Sequence, residues 1–567
     1  MFEFKDFKQQ ATELTKWLIS IPSITGTLGE DNAVKAVFDT LSGYSYFRHH
    51  REYLHYIPHL DQKNHSLLAL VKVDEETRDT LAVLCQTDTS GNDDYGVLKP
   101  LAFKSDELKD KLKGAVAQDR EKSLQLTYSN NIYGLGSFES KAVTGCLLTL
   151  LREVSDKLYE LPFNLLLICT SNSINGHQGM RECLPYIHEI MREHRLNLKL
   201  ALGFHPEDSS YSNNEFNLYT ANMGLAEPCF YILGHGAVAQ NAYSGFSPTL
   251  VAAKIIQKVE LNTQLAAQLS KTAMVPSFKH MGFKSTRSPN TPDAVQLCFN
   301  LPFVNLNLLD LIEVLKEAAA EALEETALDL ENRESVYVAG QGGSFTPQSR
   351  DAEVVSYADL FYRASRHYRG DLSSAIEGLL QKCRQEGYTR SQMARAVIER
   401  LNDLARLPRP SVVIYLGSDF IPQQQIRRNN SDDREIYIRL SKAVDEFNNS
   451  FVQQITFKEL TGPSDCCFIR PVGIDQALKA LQIECPIMVN SFFNLGAPAV
   501  TLSVKGADLY QPTEHVSTEM FDIIPGFIFC LFENFKTVDE DIKNMMRAED
   551  DLGELDQHDE QSGRDDS

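Results

Sequence analysis

Gln86 and Asp88 end the run Leu81-Ala82-Val83-Leu84-Cys85-Gln86-Thr87-Asp88, in which an apolar strand gives way to an amide and a carboxylate. A buried strand that stops in polar residues presents them at a sheet edge, where ligands are bound in α/β folds. Cys85, just before them, could be a nucleophile. It closes the apolar stretch, where burial raises a thiol's pKa, so it reads as core. Ser173 follows the next apolar run, Leu165 to Cys169. A serine hydroxyl accepts no proton near neutral pH without an activating base, and no such partner stands at motif distance. His177, in the same loop, and His235, after Gly234, could each contact a ligand. Spacing favours a water-facing loop histidine for the first and a locally hydrogen-bonded strand-end histidine for the second. His49-His50 and the stretch His59 to His65 lack companion cysteines and read as solvated.

The elements that must position these groups belong to a large, acidic, globular chain. Its 567 residues predict more than one domain, with 43% hydrophobic and 23% charged residues. A net charge of −22 repels phosphate backbones and anionic lipid, so no nucleic-acid or membrane partner is expected. No apolar run reaches the roughly 18 residues of a membrane helix, and no basic-then-apolar leader opens the sequence. Eleven scattered cysteines without a C-x-x-C pair point to reduced thiols and a cytoplasmic location. Ala548 to Ser567 holds nine Asp/Glu and reads as an acidic, disordered tail.

Helix-like and strand-like patterns alternate over the first 220 residues. Phe7 to Ile19 reads as an amphipathic helix, and Val143, Leu147, Leu150, Leu151, Val154 and Leu158 recur at helical spacing. Leu67 to Val73, Leu81 to Cys85, Leu165 to Cys169 and Leu198 to Phe204 read as strands covered on both faces. From Gly224 the rhythm is β-α-β-β-α-β: Glu227 to Leu233, Pro248 to Glu260, Met274 to Phe283, Ala294 to Phe303, Leu308 to Leu328 and Ser335 to Ala339. Gly340-Gln341-Gly342-Gly343 marks its exit. Residues 350–407 read as helical, and Pro410 to Leu416 and Pro498 to Val504 resume the buried strands. The predicted organisation is an α/β catalytic-type domain from 1–222 and 346–540, a βαββαβ lid at 223–345, and the tail 541–567.

The order and spacing of Leu81 to Asp88, Gly134 to Lys141 and the Leu165 to Met180 segment resemble those of the zinc amidohydrolases that include aminoacylase, acetylornithine deacetylase, succinyl-diaminopimelate desuccinylase and carboxypeptidase G. Within them the sequence is most similar to the branch of the arginine-utilisation protein RocB. Asp93-Asp94-Tyr95-Gly96-Val97-Leu98-Lys99-Pro100-Leu101-Ala102-Phe103, Gly179-Met180-Arg181, Gly234-His235, Pro463-Ser464-Asp465 and Gly506 to Val516 carry that likeness in shared order.

The resemblance implies a mixed-sheet catalytic domain with an inserted ferredoxin-like lid that dimerises. It also implies two metal ions sharing a carboxylate and a water. Carried onto this sequence, the first ligand histidine falls at Gln86, oriented by Asp88. The bridging aspartate becomes Glu139. The catalytic base and the next ligand become Ser173 and Ile174. A further acidic ligand becomes His205, with Glu207 one slip away. The last ligand histidine becomes Tyr510, and the lid histidine that polarises substrate becomes Val238. An amide is a poor zinc ligand and isoleucine is none, so only Glu139 and His205 stay competent, with Asp88 in reserve.

Two readings follow. In one, the chain is a non-catalytic relative that takes no metal and binds an amino-acid or peptide-like ligand, or a partner, as a homodimer. In the other, a rebuilt site holds one zinc or other divalent ion on Glu139 and His205, with His177 recruited, and hydrolyses acylated amino acids or peptides. The residues favour the first.

Overall fold

The structure is a computed structural model that describes every residue except 1–5, 61–62, 159–160, 175, 209–214, 270–273, 285–290, 347–351, 428–429, 488–493 and 537–567. The predicted tail lies outside the described residues. The chain divides into two compact units: Met1–Asn222 with Gln424–Pro471 and Phe493–Ser567, and Met223–Gln423 with Val472–Phe492.

The first unit opens with α1 (Phe7–Ile19), β1 (Leu54–Pro58), β2 (His65–Val71), β3 (Asp79–Gln86) and β4 (Asn131–Tyr133). A single π turn, Ser137–Lys141, then feeds α2 (Ala142–Ser155). β5 (Asn164–Thr170), α3 (Gln178–Glu193), β6 (Asn197–Asp208) and β7 (Glu215–Tyr219) follow. β5 is buried at all seven positions, as its unbroken apolar run requires of a central strand. α1 lies against α2 so closely that Gly145 has no room for a side chain: a Cβ there would fall 2.5 Å from Thr15 Oγ1 and 3.0 Å from its backbone nitrogen.

The second unit comprises β8 (Pro228–Leu233), α4 (Pro248–Val259), β9 (Ser277–Lys284), β10 (Ala294–Phe303), α5 (Leu308–Gly340), β11 (Glu353–Ser356), α6 (Tyr357–His367), α7 (Leu372–Gln385), α8 (Arg390–Ala405) and β12 (Ser411–Leu416). Ser247 caps α4 ahead of Pro248, and capping boxes at Ser356/Asp359 and Thr389/Gln392 start α6 and α8. Its main strand order is β9-β10-β8-β12-β11. This is the βαββαβ arrangement, with one correction. The expected last strand, Ser335 to Ala339, is the continuation of α5. Those residues are mostly exposed and meet no sheet, so the helix begun by the Ala/Glu/Leu run simply propagates. The fourth strand of the module is β12, antiparallel to β8, and α6, α7 and α8 precede it in the chain. The compact unit therefore runs to Gln423, past the Gly340–Gly343 turn.

The chain returns through β13 (Gln454–Lys458), contributes α9 (Ile474–Glu484) to the second unit, and finishes the first with β14 (Ala499–Ala507), β15 (His515–Ser517) and α10 (Met520–Lys536). The large sheet runs β1-β2-β5-β3-β6-β14-β15-β4, with β7 on β14 and β13 on β7. β3, β5, β6 and β14 are mutually parallel where they pair, so their carboxyl ends share one edge.

Candidate functional site

Three hydrogen-bonded knots occupy that edge in the first unit. The first is centred on Asp465, which opens the short turn Asp465–Phe468. Gln86 and Thr170 face each other across β3 and β5. Gln86 Nε2 and Thr170 Oγ1 both donate to Asp465 Oδ2, at 3.1 and 2.9 Å. His177 Nδ1 meets Asp465 Oδ1 at 2.7 Å. Both carboxylate oxygens are thus engaged. His177 sits in the left-handed region (φ 53°) at the head of α3, its side chain only 15% exposed. The expectation of a water-facing histidine is corrected: an aspartate brought in from almost 300 residues away covers it.

The second knot is Asp88, fully buried. Thr25 Oγ1 donates to it at 2.8 Å, Ser173 Oγ at 2.7 Å, and the Ser173 and Ile174 backbone N–H groups at 2.8 and 3.3 Å. Burial pushes its carboxyl above the usual range while these donors pull it back. Ser173 is therefore tied as a donor to the Asp88 carboxylate. Ile174 stands 45% exposed.

The third knot gathers Glu139, Glu514, Tyr510 and Lys141. The π turn carries Glu139 inward, and Gly136 (φ 81°) begins it where a Cβ would strike Thr89. Ser90 N–H donates to Glu139 Oε2 at 3.3 Å, and the Tyr510 hydroxyl hydrogen-bonds the same carboxyl. Glu514 accepts the Phe138 and Tyr510 N–H groups at 3.0 and 3.1 Å. Burial, then Glu514 and Asp88, push Glu139 well above the ordinary carboxyl value. Burial raises Glu514 to about 7. Lys141, buried with them, donates to the Ile21 carbonyl at 2.7 Å, and burial lowers it to about 7 against the pull of the three carboxylates.

His205 does not join this cluster. It lies on β6 opposite Ser503 of β14, half-buried, its pKa lowered by burial, with Glu207 as the charge that raises it. Glu207 itself accepts from Asn217 at 2.8 and 2.9 Å. Among the described residues, no three His, Cys, Asp or Glu side chains converge at the strand ends within metal-binding reach of one another.

The space between Gln86, Glu139, Phe204, Ser464 and Asp465 is a cavity of about 30 Å³, room for a water or two. A larger cavity, about 450 Å³, lies elsewhere in this unit, lined by Phe7, Phe451, Phe521 and Phe529. The donors at the strand ends do not fit a pair of zinc ions. The amide and hydroxyls are committed to carboxylates, and burial with Glu514 and Asp88 pushes the Glu139 carboxyl upward.

Other expectations resolve individually. Cys85 is buried core. His59 is buried against Ser66 Oγ at 2.8 Å, and His65 pairs with Asp31 at 3.0 Å and stacks on Tyr56, so neither is solvated. In the second unit, His235 is exposed and exchanges backbone hydrogen bonds of 2.9 Å with Phe246. Val238 is 48% exposed. Asp465 and Glu514 were missed as site residues, although both stand in the closing motifs that carried the resemblance. Also missed were Glu227, His280 and Cys298, which converge in the second unit.

No family model matches the sequence. Among curated proteins, it is 22% identical over 535 residues to Protein RocB of Bacillus subtilis, covering 92% of this chain and 94% of RocB. It is 24% identical over 446 residues to the uncharacterized protein YqjN of the same organism, covering 76% and 79%. Its fold resembles that of the di-peptidase Dug1p from Saccharomyces cerevisiae, with a TM-score of 0.52, 10% identity and coverage of 94% and 97%. It also resembles the M20 family metallo-carboxypeptidase Sso-CP2 from Sulfolobus solfataricus, with a TM-score of 0.51, 10% identity and coverage of 93% and 100%.

Proposed function

For this RocB-like member of the metallohydrolase family, which has the M20 peptidase fold, we propose a hydrolytically silent role: the strand-end cleft binds an amino-acid or peptide-like ligand and does not cut it. One observation carries the reading. Side chains at the first ligand position and at the base position are tied to carboxylates of their own chain, Gln86 to Asp465 and Ser173 to Asp88. A cation arriving there would have to break both knots and would find few donors in exchange. Each broken, buried, charge-assisted bond costs roughly 1.5–3 kcal/mol.

The rebuilt single-metal reading asks Glu139 and His205 to share an ion. Glu139 is bonded to Tyr510, His177 is spoken for by Asp465, and His205 titrates beside Glu207, which weighs against it. Homodimerisation through the second unit remains part of the proposal. The exposed Phe278 and Phe283 on its edge strand β9 support an interface there.

The test is turnover together with metal content. Purified protein is assayed on N-acyl amino acids and dipeptides with added zinc, manganese or cobalt. No hydrolysis is expected, a subset of the panel should raise the thermal midpoint, and Glu139→Ala and His205→Ala should bind as much metal as wild type. Hydrolysis that chelators abolish and Glu139→Ala removes would overturn the proposal.

A further inference from the structure

His280 on β9, Cys298 on β10, Cys229 on β8 and Tyr415 on β12 are successive register partners, one straight row across four strands of the second unit. Side chains in such a row share a face. Here that face is covered by α6, α7 and α8, which bury Cys298 and Cys229 to 1% exposure. Glu227, two residues before Cys229, is 7% exposed and turns to the same place. One ligand atom each from Glu227, His280 and Cys298 lie within 4.8 Å of one another.

These are a thiol, an imidazole and a carboxylate, the three donor types that zinc accepts at about 2.0–2.3 Å. Tetrahedral ligands at those lengths stand roughly 3.3–3.8 Å apart. Closing the present spacing asks each atom to move by less than about an ångström. His280 Nε2 is already held by Ser391 Oγ of α8 at 2.8 Å, which leaves Nδ1 for a metal and fixes the ring, as outer contacts of zinc histidines do. The charges also suit a divalent ion. Glu227 and Asp419 share one cation, Lys279, at 2.9 and 3.1 Å. Cys298 is in hydrogen-bond contact with both Cys229 and His280. Arg390 adds a second cation to Asp419 at 3.4 Å, so Glu227 depends on Lys279 while Asp419 has two partners.

We propose that the second unit binds one thiophilic divalent cation, zinc by its donor set, through Cys298 Sγ, His280 Nδ1 and a Glu227 oxygen. Cys229, hydrogen-bonded to Cys298, or a water completes the tetrahedron. Binding displaces the proton held between Cys298 Sγ and His280, which leaves to solvent. The ion ties the edge strand β9 to β10 and to the entry of β8 beneath a helical cover, which is a structural role. His280 is only half-buried and gives the route in.

The full-length protein, purified under reductant, is loaded with zinc, desalted and assayed by elemental analysis. About one zinc per chain is expected, lost in Cys298→Ser and in His280→Ala and kept in Glu139→Ala, which separates this site from the strand ends of the first unit. Cobalt should replace zinc with a sulfur-to-metal charge-transfer band in wild type. If Cys298→Ser fails to fold, that band decides: its presence supports the site and its absence overturns it. Zinc near zero in wild type, zinc retained in both variants, or a Cys229–Cys298 disulfide in the loaded protein would each refute the site.

Discussion

Glu514 shows how far a single buried carboxyl can bias this protein. It is fully buried, and its folded pKa is about 7 against an ordinary 4.5. The raised value means that the neutral form is the one folding favours. Its contribution is fully present below pH 4.5 and is lost as pH rises through 7. Lys141, depressed to about 7, is protonated in both states over the lower part of that window and adds little slope there. Glu139, raised well above its usual range, slopes in the same direction. Urea unfolding from pH 4.5 to 7 should therefore lose stability, about 3 kcal/mol of it through Glu514 at the limit of one proton. Glu514→Gln should flatten that slope by about one proton's worth. An unchanged slope would show that Glu514 titrates normally. In the sequence, Gln86, Ile174 and Tyr510 stand where the resemblance implies metal ligands, and that expectation rests on the motifs alone. The bonds that Gln86 makes could not be read there. Gln86 and Asp465 are 379 residues apart, and no local pattern announces a bond across that distance.

Among the elements, α2 does the most to place the site, since the π turn at its start aims Glu139 inward. Its own position depends on Gly145 meeting α1 at Thr15. Two effects of Gly145→Ala oppose each other. Helix propensity favours alanine by about 1 kcal/mol. The added Cβ would meet Thr15 backbone at 3.0–3.2 Å, which cannot swing aside as a side chain can. Overpacking of that kind costs about 1–3 kcal/mol, so the net change should be destabilising, read as a lower urea midpoint at unchanged slope. A higher midpoint would mean that the two helices part at little cost. Strands and helices with clear periodicity were legible: α1 has the expected bounds, and β10 matches Ala294 to Phe303. Ser335 to Ala339 misled because Val336, Tyr337 and Val338 carry strand propensity. That propensity is realised only against a sheet, and at the end of a 33-residue helix there is none to join.

Over the whole molecule, the division into units depends on chain that is remote in sequence. The second unit is not one continuous insertion. α9 arrives from residues 474–484, and its Ala480 and Leu481, with Cys485, sit in the core beside Leu315, Ala319 and Val412. Glu484 accepts the Ala358 N–H at 3.2 Å, so α9 also secures the start of α6. No sequence pattern tells where such a returning helix docks, which is why a lid of 223–345 was expected and a unit of two segments is found. The consequence can be measured. A fragment of residues 223–423 would leave that part of its core open to water. Losing Leu481 alone costs about 2–5 kcal/mol, and the whole helix takes away several buried groups, against a typical domain stability of 5–15 kcal/mol. The fragment should be poorly soluble or unfold with a shallow, low-temperature transition. The same fragment with residues 472–492 joined by a flexible linker should regain a cooperative transition, and Leu481→Ala in that version should lose a large part of the gain. Equal cooperativity with and without the returning segment would show that α9 only decorates a core that closes without it.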